Sequence, residues 1–211
     1  MDTLDFIIRD TNNTTLLWKE AAQENIPPSS AAKEIDDAML DWMRELTKTL
    51  RLWTDKGAKM TSGELILARA NLGAIVESWL KFFYCAYNED YQKQPKTTKD
   101  RKGNIVTIEP NDLGFDQLKQ YSRGILYQKN DSWEQWVDSV QKKRNAIHSF
   151  NYREIGTSEE YYDDVEKLYD FMQLINDRLP PVEDNIQKYP VGYQRPEPFV
   201  VREKIKRVYG F

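Results

Sequence analysis

From Ser62 to Tyr91, apolar side chains recur at three- and four-residue steps: Leu65, Ala68, Leu72, Ile75, Val76, Trp79, Leu80, Phe83 and Tyr87. That is the helical period, and an apolar arc this broad needs cover on most of its sides. The segment predicts a long central helix around which the remaining elements pack. The same period recurs elsewhere. Ser29 and Ser30 offer an N-cap to a long amphipathic helix bearing Ile35, Met39, Trp42, Met43, Leu46, Leu50 and Trp53, with Gly57 as its stop. Three further helices are expected at about 113–127, 131–149 and 158–178. Thr157 with Glu160 gives the last of them a capping box. Its inward face is Tyr162, Val165, Leu168, Met172, Ile175 and Leu179, and Pro180-Pro181 ends it.

The expected fold is therefore all-α. Residues 29–179 form the bundle, 1–28 an N-terminal extension with a short helix around Leu16-Leu17-Trp18, and 180–211 an extended C-terminal arm. The predicted core holds Trp42, Leu46, Leu72, Trp79, Val137, Val140, Leu168 and Ile175. Residues 93–110 interrupt the helices: Lys93, Lys96, Lys99, Arg101 and Lys102 surround a single acid, Asp100. Gly103-Asn104 is a turn signal, and Ile105-Val106-Thr107-Ile108 favours a strand, so a small hairpin fits here. Two readings stay open: a solvated insertion, or a basic finger whose Lys99, Arg101 and Lys102 touch nucleic-acid phosphate.

A chain of 211 residues suits one domain with extensions, and 40% hydrophobic content with twelve Tyr and six Trp suits a packed core. The net charge of −4 excludes a uniformly basic nucleic-acid coat while leaving room for a local basic site. Cys85, alone in its type and inside an apolar run, is expected to be a buried, inert thiol of a reducing compartment. The acidic N-terminus has no apolar signal core, and no apolar run approaches the ~20 residues of a membrane span, so a cytoplasmic protein away from membranes is expected. A single His and a single Cys rule out a His/Cys metal site within one chain, and no Gly-rich phosphate loop or nucleophile elbow is present. Neither metal nor cofactor is expected. Glu159, Glu160, Asp163 and Asp164 form two i,i+4 acidic pairs, read either as charges opposing the helix dipole or as Mg²⁺ ligands. The cluster Tyr161, Tyr162, Tyr169 and Phe171 reads as core or as a base-stacking platform.

One stretch stands out. Trp133, Val137 and Val140 define a stripe that continues, four residues at a time, to Arg144 and His148. Each such step turns an α-helix by only about 40°, so the two polar side chains are expected close together at one end of an apolar face, with Ile147 packing that end. An Arg on a buried stripe needs a carboxylate, a carbonyl or a phosphate. Lys142 and Lys143 add positive charge beside it. Complementing the dipole at a helix C-terminus is the alternative role. Glu77, set between Val76 and Trp79 on the central helix, is the best candidate to hold Arg144, or else pairs with Lys81 one turn on. Asn145 suits either orienting RNA or His148, or bonding backbone near the helix end.

Lys143-Arg144-Asn145-Ala146-Ile147-His148-Ser149-Phe150, late in an α-bundle, resembles the signature of the HEPN superfamily. Arg144 matches that family's Arg, Asn145 its polar residue and His148 its His, over a helix order that is loosely similar across 30–179. Three residues separate Arg144 from His148, one fewer than in the family's usual catalytic motif. The resemblance implies an up-down bundle and a metal-independent endoribonuclease of a toxin–antitoxin or phage-defence system, with an antitoxin or small nucleotidyltransferase as partner. Its alternative is a non-catalytic module binding protein or RNA. Cleavage needs both a base and an acid, and one His in the chain makes a homodimer with paired motifs the expected solution.

Overall fold

The computed structural model describes residues 2–148, 150–180 and 182. The chain runs α1 (Thr3–Gln23), α2 (Ser29–Asp37), α3 (Leu40–Lys48), α4 (Leu50–Thr54), α5 (Ser62–Ala86) and α6 (Asn88–Tyr91). A hairpin follows, β1 (Thr97–Lys99) and β2 (Ile105–Thr107), and then α7 (Phe115–Ser122), α8 (Ser132–Arg144) and α9 (Ser158–Asn176). The expected all-α class holds. The C-terminal arm expected over 180–211 lies almost wholly outside the described residues.

The 25-residue α5 is the axis of the molecule, packed by α2, α3, α4, α7, α8 and α9. Thr61 starts it through a capping box: Glu64 N–H donates to Thr61 Oγ1 at 3.3 Å, and Thr61 N–H to Glu64 Oε2 at 2.8 Å. Leu72, Ile75, Val76, Trp79 and Leu80 are then sealed from solvent. The predicted cap of α9 is present too, with Glu160 N–H on Thr157 Oγ1 at 3.2 Å.

The N-terminal reading needs correction. Residues 3–23 form one 21-residue helix, not only a short one around Leu16-Leu17-Trp18, and Leu4, Ile7, Leu17 and Trp18 join the common core. The helical part of the expected 1–28 extension, residues 3–23, thus packs with the bundle instead of lying outside it. The polar run Thr11-Asn12-Asn13-Thr14-Thr15 hides this, because three of its threonines are buried yet satisfied. Thr15 Oγ1 donates to the Thr11 carbonyl at 2.7 Å, and Thr14 Oγ1 reaches Asn176 Oδ1 on α9 at 3.4 Å.

The long helix expected from Ser29 to Gly57 is three short ones. Ala38 is extended (ψ 140°), and the chain restarts at Leu40 with a shifted register. Leu40, Met43 and Thr47 now face the core, so Trp42 is 66% exposed, against expectation, and Leu46 is only partly buried. Ser29 begins α2 without capping it; Pro28 holds the cap position with no side-chain bond. The α3–α4 junction is fixed from α5. Asn71 Nδ2 donates to the Leu46 carbonyl at 3.0 Å, while Asn71 Oδ1 accepts from Trp53 Nε1 at 3.0 Å.

The insertion is a two-stranded antiparallel hairpin pairing Thr97 with Thr107, Thr98 with Val106 and Lys99 with Ile105. Its strand residues are exposed throughout. Asp100 accepts from the Lys102 and Asn104 N–H groups, each at 2.8 Å, and so closes the turn. These hydrogen bonds, with that of the Asn104 side chain first among them, hold its carboxyl below the usual range.

Candidate functional site

The helix that carries Arg144 begins at Asp131, whose carboxylate accepts the Glu134 N–H at 2.8 Å. Its packing stripe is Trp136, Val137 and Val140, all buried, with Trp133 at the edge. Beyond Val140 the stripe reaches Arg144, where α5 presents Gly73. A Cβ on Gly73 would lie 2.4 Å from both Cβ and Cγ of Arg144, so the two helices touch there because residue 73 has no side chain. One turn further along α5, Glu77 Oε2 accepts from Arg144 Nη2 at 3.1 Å, and Asn145 Oδ1 accepts from Nη1 at 3.3 Å. Glu77 also takes Lys81 at 3.5 Å, so both partners considered for it are engaged. The Arg144 side chain stays 32% exposed and Glu77 16%. The guanidinium is oriented, and part of it still meets solvent.

His148 stands differently from expectation. The α-helix ends at Arg144, and Asn145–His148 form a 3₁₀ turn instead of an α-helix continuing to 149. At 3.0 residues per turn, four residues rotate His148 about 120° from Arg144, not about 40°. Ala146 packs inward (4% exposed) in the place expected of Ile147, which is 40% exposed. The imidazole is exposed and makes no hydrogen bond or ion pair with another described residue. Phe150 and Tyr152, at 97% and 89% exposure, extend this surface.

Lys143 points elsewhere. Its Nζ lies 3.2 Å from Asp164 Oδ2 and 3.9 Å from Glu160, on α9. Lys142 is exposed and pairs with Asp138 at 2.6 Å. Lys99, Arg101 and Lys102 sit on or beside the hairpin and form no ion pair with a described residue. That hairpin leaves from beyond the end of α5, whose last residue is nine past Glu77, about 13 Å along the axis. The basic finger and the Arg144 end of α8 are thus separate features of the surface.

No family model, curated protein or solved structure matches this chain.

Beneath the Arg144 segment lies a polar cluster that the sequence reading missed. Arg69 of α5 is 1% exposed and pairs with Asp164, one of the four acids that read from sequence either as charges opposing the helix dipole or as Mg²⁺ ligands. Arg69 Nε also donates to the Ile155 carbonyl at 3.0 Å, and Nη2 to that of Thr157 at 3.4 Å. Asp164 Oδ1 accepts from Trp136 Nε1 at 2.9 Å. One carboxylate therefore holds α8 just before Arg144, while its Arg partner holds the chain shortly after His148. The signal was available: Leu65, Arg69, Leu72 and Val76 are spaced four, three and four, which places Arg69 on the same buried arc as the residues around Glu77. Among the described residues, no three His, Cys, Asp or Glu side chains are grouped so as to hold a metal.

The remaining sequence features are structural. Tyr161, Tyr162, Tyr169 and Phe171 are all buried, which makes them core. Cys85 is buried, burial pushes its thiol up, and Sγ lies 3.3 Å from Asn111 Oδ1. No helix of the described residues is long and apolar enough to cross a membrane.

Proposed function

We propose that the chain is a HEPN-like helical bundle that cleaves RNA without metal through Arg144 and His148, with Asn145 and Glu77 in support. The observation that carries the reading is the Arg144 guanidinium, held by Glu77 and Asn145 at 3.1 and 3.3 Å yet a third exposed, one turn from an unengaged imidazole. A planar guanidinium matches phosphate oxygens and stabilises the charge that builds on phosphorus. An imidazole can both take up and give a proton in the course of such a reaction.

The reaction is transesterification. The 2′-oxygen bonds to phosphorus as its proton passes to His148, and the P–O5′ bond breaks as the leaving oxygen takes a proton. The products are a 2′,3′-cyclic phosphate and a 5′-hydroxyl. With one His per chain, the second proton is supplied by His148 of a second copy in a homodimer. Lys142, Lys99, Arg101 and Lys102 contribute to holding the RNA backbone. In this reading the protein works in the cytoplasm as a toxin or phage-defence ribonuclease, controlled by an antitoxin or a nucleotidyltransferase.

A second reading has its own support. The tight contact of Arg144 with Gly73 and the Glu77 pair suit a structural Arg in a non-catalytic protein- or RNA-binding module. The two separate in one assay. Purified protein is incubated with total RNA in EDTA, beside Arg144→Ala and His148→Ala variants. Cleavage lost in both variants supports the ribonuclease; intact RNA with the wild type, under conditions where the protein is folded, transfers the assignment to the module.

A further inference from the structure

Away from Arg144, a cavity of about 660 Å³ opens where α5, α6 and α7 meet the residues after α9. That volume lies within the range of small-molecule sites, about 300–1,000 Å³. Its walls are aromatic: Phe83, Tyr84, Tyr87, Tyr91 and Tyr121. Neighbouring rings contact one another, with Phe83–Tyr87 centroids 4.9 Å apart and Tyr91–Tyr121 5.4 Å apart. The phenol hydroxyls are already engaged by the protein. Tyr87 donates to the Arg178 carbonyl at 2.5 Å, Tyr91 to that of Ile108 at 2.6 Å and Tyr121 to that of Gln94 at 2.7 Å. Ser122 Oγ gives its proton to the Leu118 carbonyl at 2.8 Å, which leaves it to accept from Tyr84 at 3.2 Å. The aromatic part of the wall therefore offers ring carbon to whatever enters, which suits a ligand whose body is apolar and flat.

The charges at the mouth are uneven. Asp90 is neutralised by Lys93 at 2.5 Å. Arg178 donates Nη1 to the Leu174 carbonyl at 3.0 Å and has no carboxylate partner among the described residues. A guanidinium with no carboxylate among the described residues, set on the wall of an aromatic cavity, calls for an anionic group at the edge of the ligand.

We propose that this cavity binds a small aromatic acid, its ring among Tyr84, Tyr87, Tyr91 and Tyr121 and its carboxylate against Arg178. The site is independent of the RNA reading, since none of these residues belongs to the Arg144 segment. The test is calorimetric titration of the full chain with indole-3-acetate and, as its uncharged isostere, indole-3-acetamide. The acid is expected to bind at least about tenfold more tightly than the amide. Arg178→Gln lowers affinity for the acid about tenfold and leaves the amide unchanged. Ile125→Trp fills the cavity from a half-exposed position (50%) and abolishes both, with the thermal midpoint kept as the control for folding. Arg144→Ala binds as the wild type does, so loss of RNA cleavage and loss of this site are told apart. No binding of the acid at about 5 mM overturns the proposal, as does equal binding of acid and amide, or binding untouched by Ile125→Trp.

Discussion

Gly73→Ala is the substitution on which local propensity and tertiary packing disagree in sign. In an isolated helix it would stabilise by about 1 kcal/mol, since alanine restricts the unfolded chain and glycine does not. In this fold the new Cβ lies 2.4 Å from Cβ and Cγ of Arg144. Ordinary carbon–carbon contact is about 3.5–4.0 Å, so the overlap exceeds about 1 Å and falls on atoms rooted in the α8 backbone. Little can yield. Val137 and Val140 are 0% and 2% exposed on the same helix, and the guanidinium is tied to Glu77 at 3.1 Å. Overpacking of this kind costs about 1–3 kcal/mol, and an overlap with backbone-rooted atoms belongs at the upper end. Offset by the propensity gain, the net loss is about 2 kcal/mol, or about 4–8 °C in melting temperature for a chain of this size. Thermal unfolding followed by far-UV circular dichroism measures it. A rise in the midpoint would show that α5 and α8 do not meet at Gly73, and the orientation of Arg144 by Glu77 would fall with that contact.

Asp164→Leu should be more severe, because it leaves the Arg69 charge buried without its carboxylate. A loss of about 3–5 kcal/mol in urea unfolding is expected, and a change below about 1 kcal/mol would mean that Arg69 is solvated. Asp138, bonded to Lys119 and Lys142 at 2.6 Å each, tests pH dependence. Burial pushes its carboxyl up, but hydrogen bonds from the two lysines outweigh this and hold it below the usual range. A depressed folded pKa stabilises above the unfolded value of about 3.9 and loses that contribution as pH falls through the folded one. The stability difference between wild type and Asp138→Asn should therefore be largest near neutrality and shrink toward about pH 3; a constant difference would refute it.

What was legible in the sequence follows from where each determinant lies. The course of α5 is written in its own residues, since an apolar arc that wide admits one conformation and one level of burial. The break after Ala38 is not, because Ile35, Met39, Met43 and Leu46 keep helical spacing straight across it. The next break, where α3 ends, is fixed from α5 by Asn71, which captures the Leu46 carbonyl, while the extended Ala38 restarts the helix at Leu40 in a shifted register. Trp42 then falls outside the core although its spacing is that of a core residue. α1 was hidden by its buried threonines, whose hydroxyls bond to their own helix and to α9 in ways composition does not reveal.

At the candidate site, the contact between Arg144 and Glu77 was readable because each interrupts an apolar stripe, and two such interruptions need one another. The change from α to 3₁₀ at Asn145 was not, and it alters the direction of His148 while leaving its distance along the chain unchanged. Arg69 obeys the same rule as Glu77, but its partner Asp164 stands among several acids near the start of α9, where a local role at the helix N-terminus accounts for all of them and conceals the one that pairs inward.

A proton-carrying role for His148 would be written in the chemistry of the cut ends, which tests it directly. RNA would be incubated with the wild type and with His148→Ala in EDTA, and the new 3′ ends analysed by mass spectrometry. The prediction is 2′,3′-cyclic phosphate ends from the wild type and a loss of at least about 10²-fold in their formation with His148→Ala, the usual scale for removing a general acid–base group. Products ending in a 3′-hydroxyl, or cyclic phosphate formed equally by the variant, would contradict it.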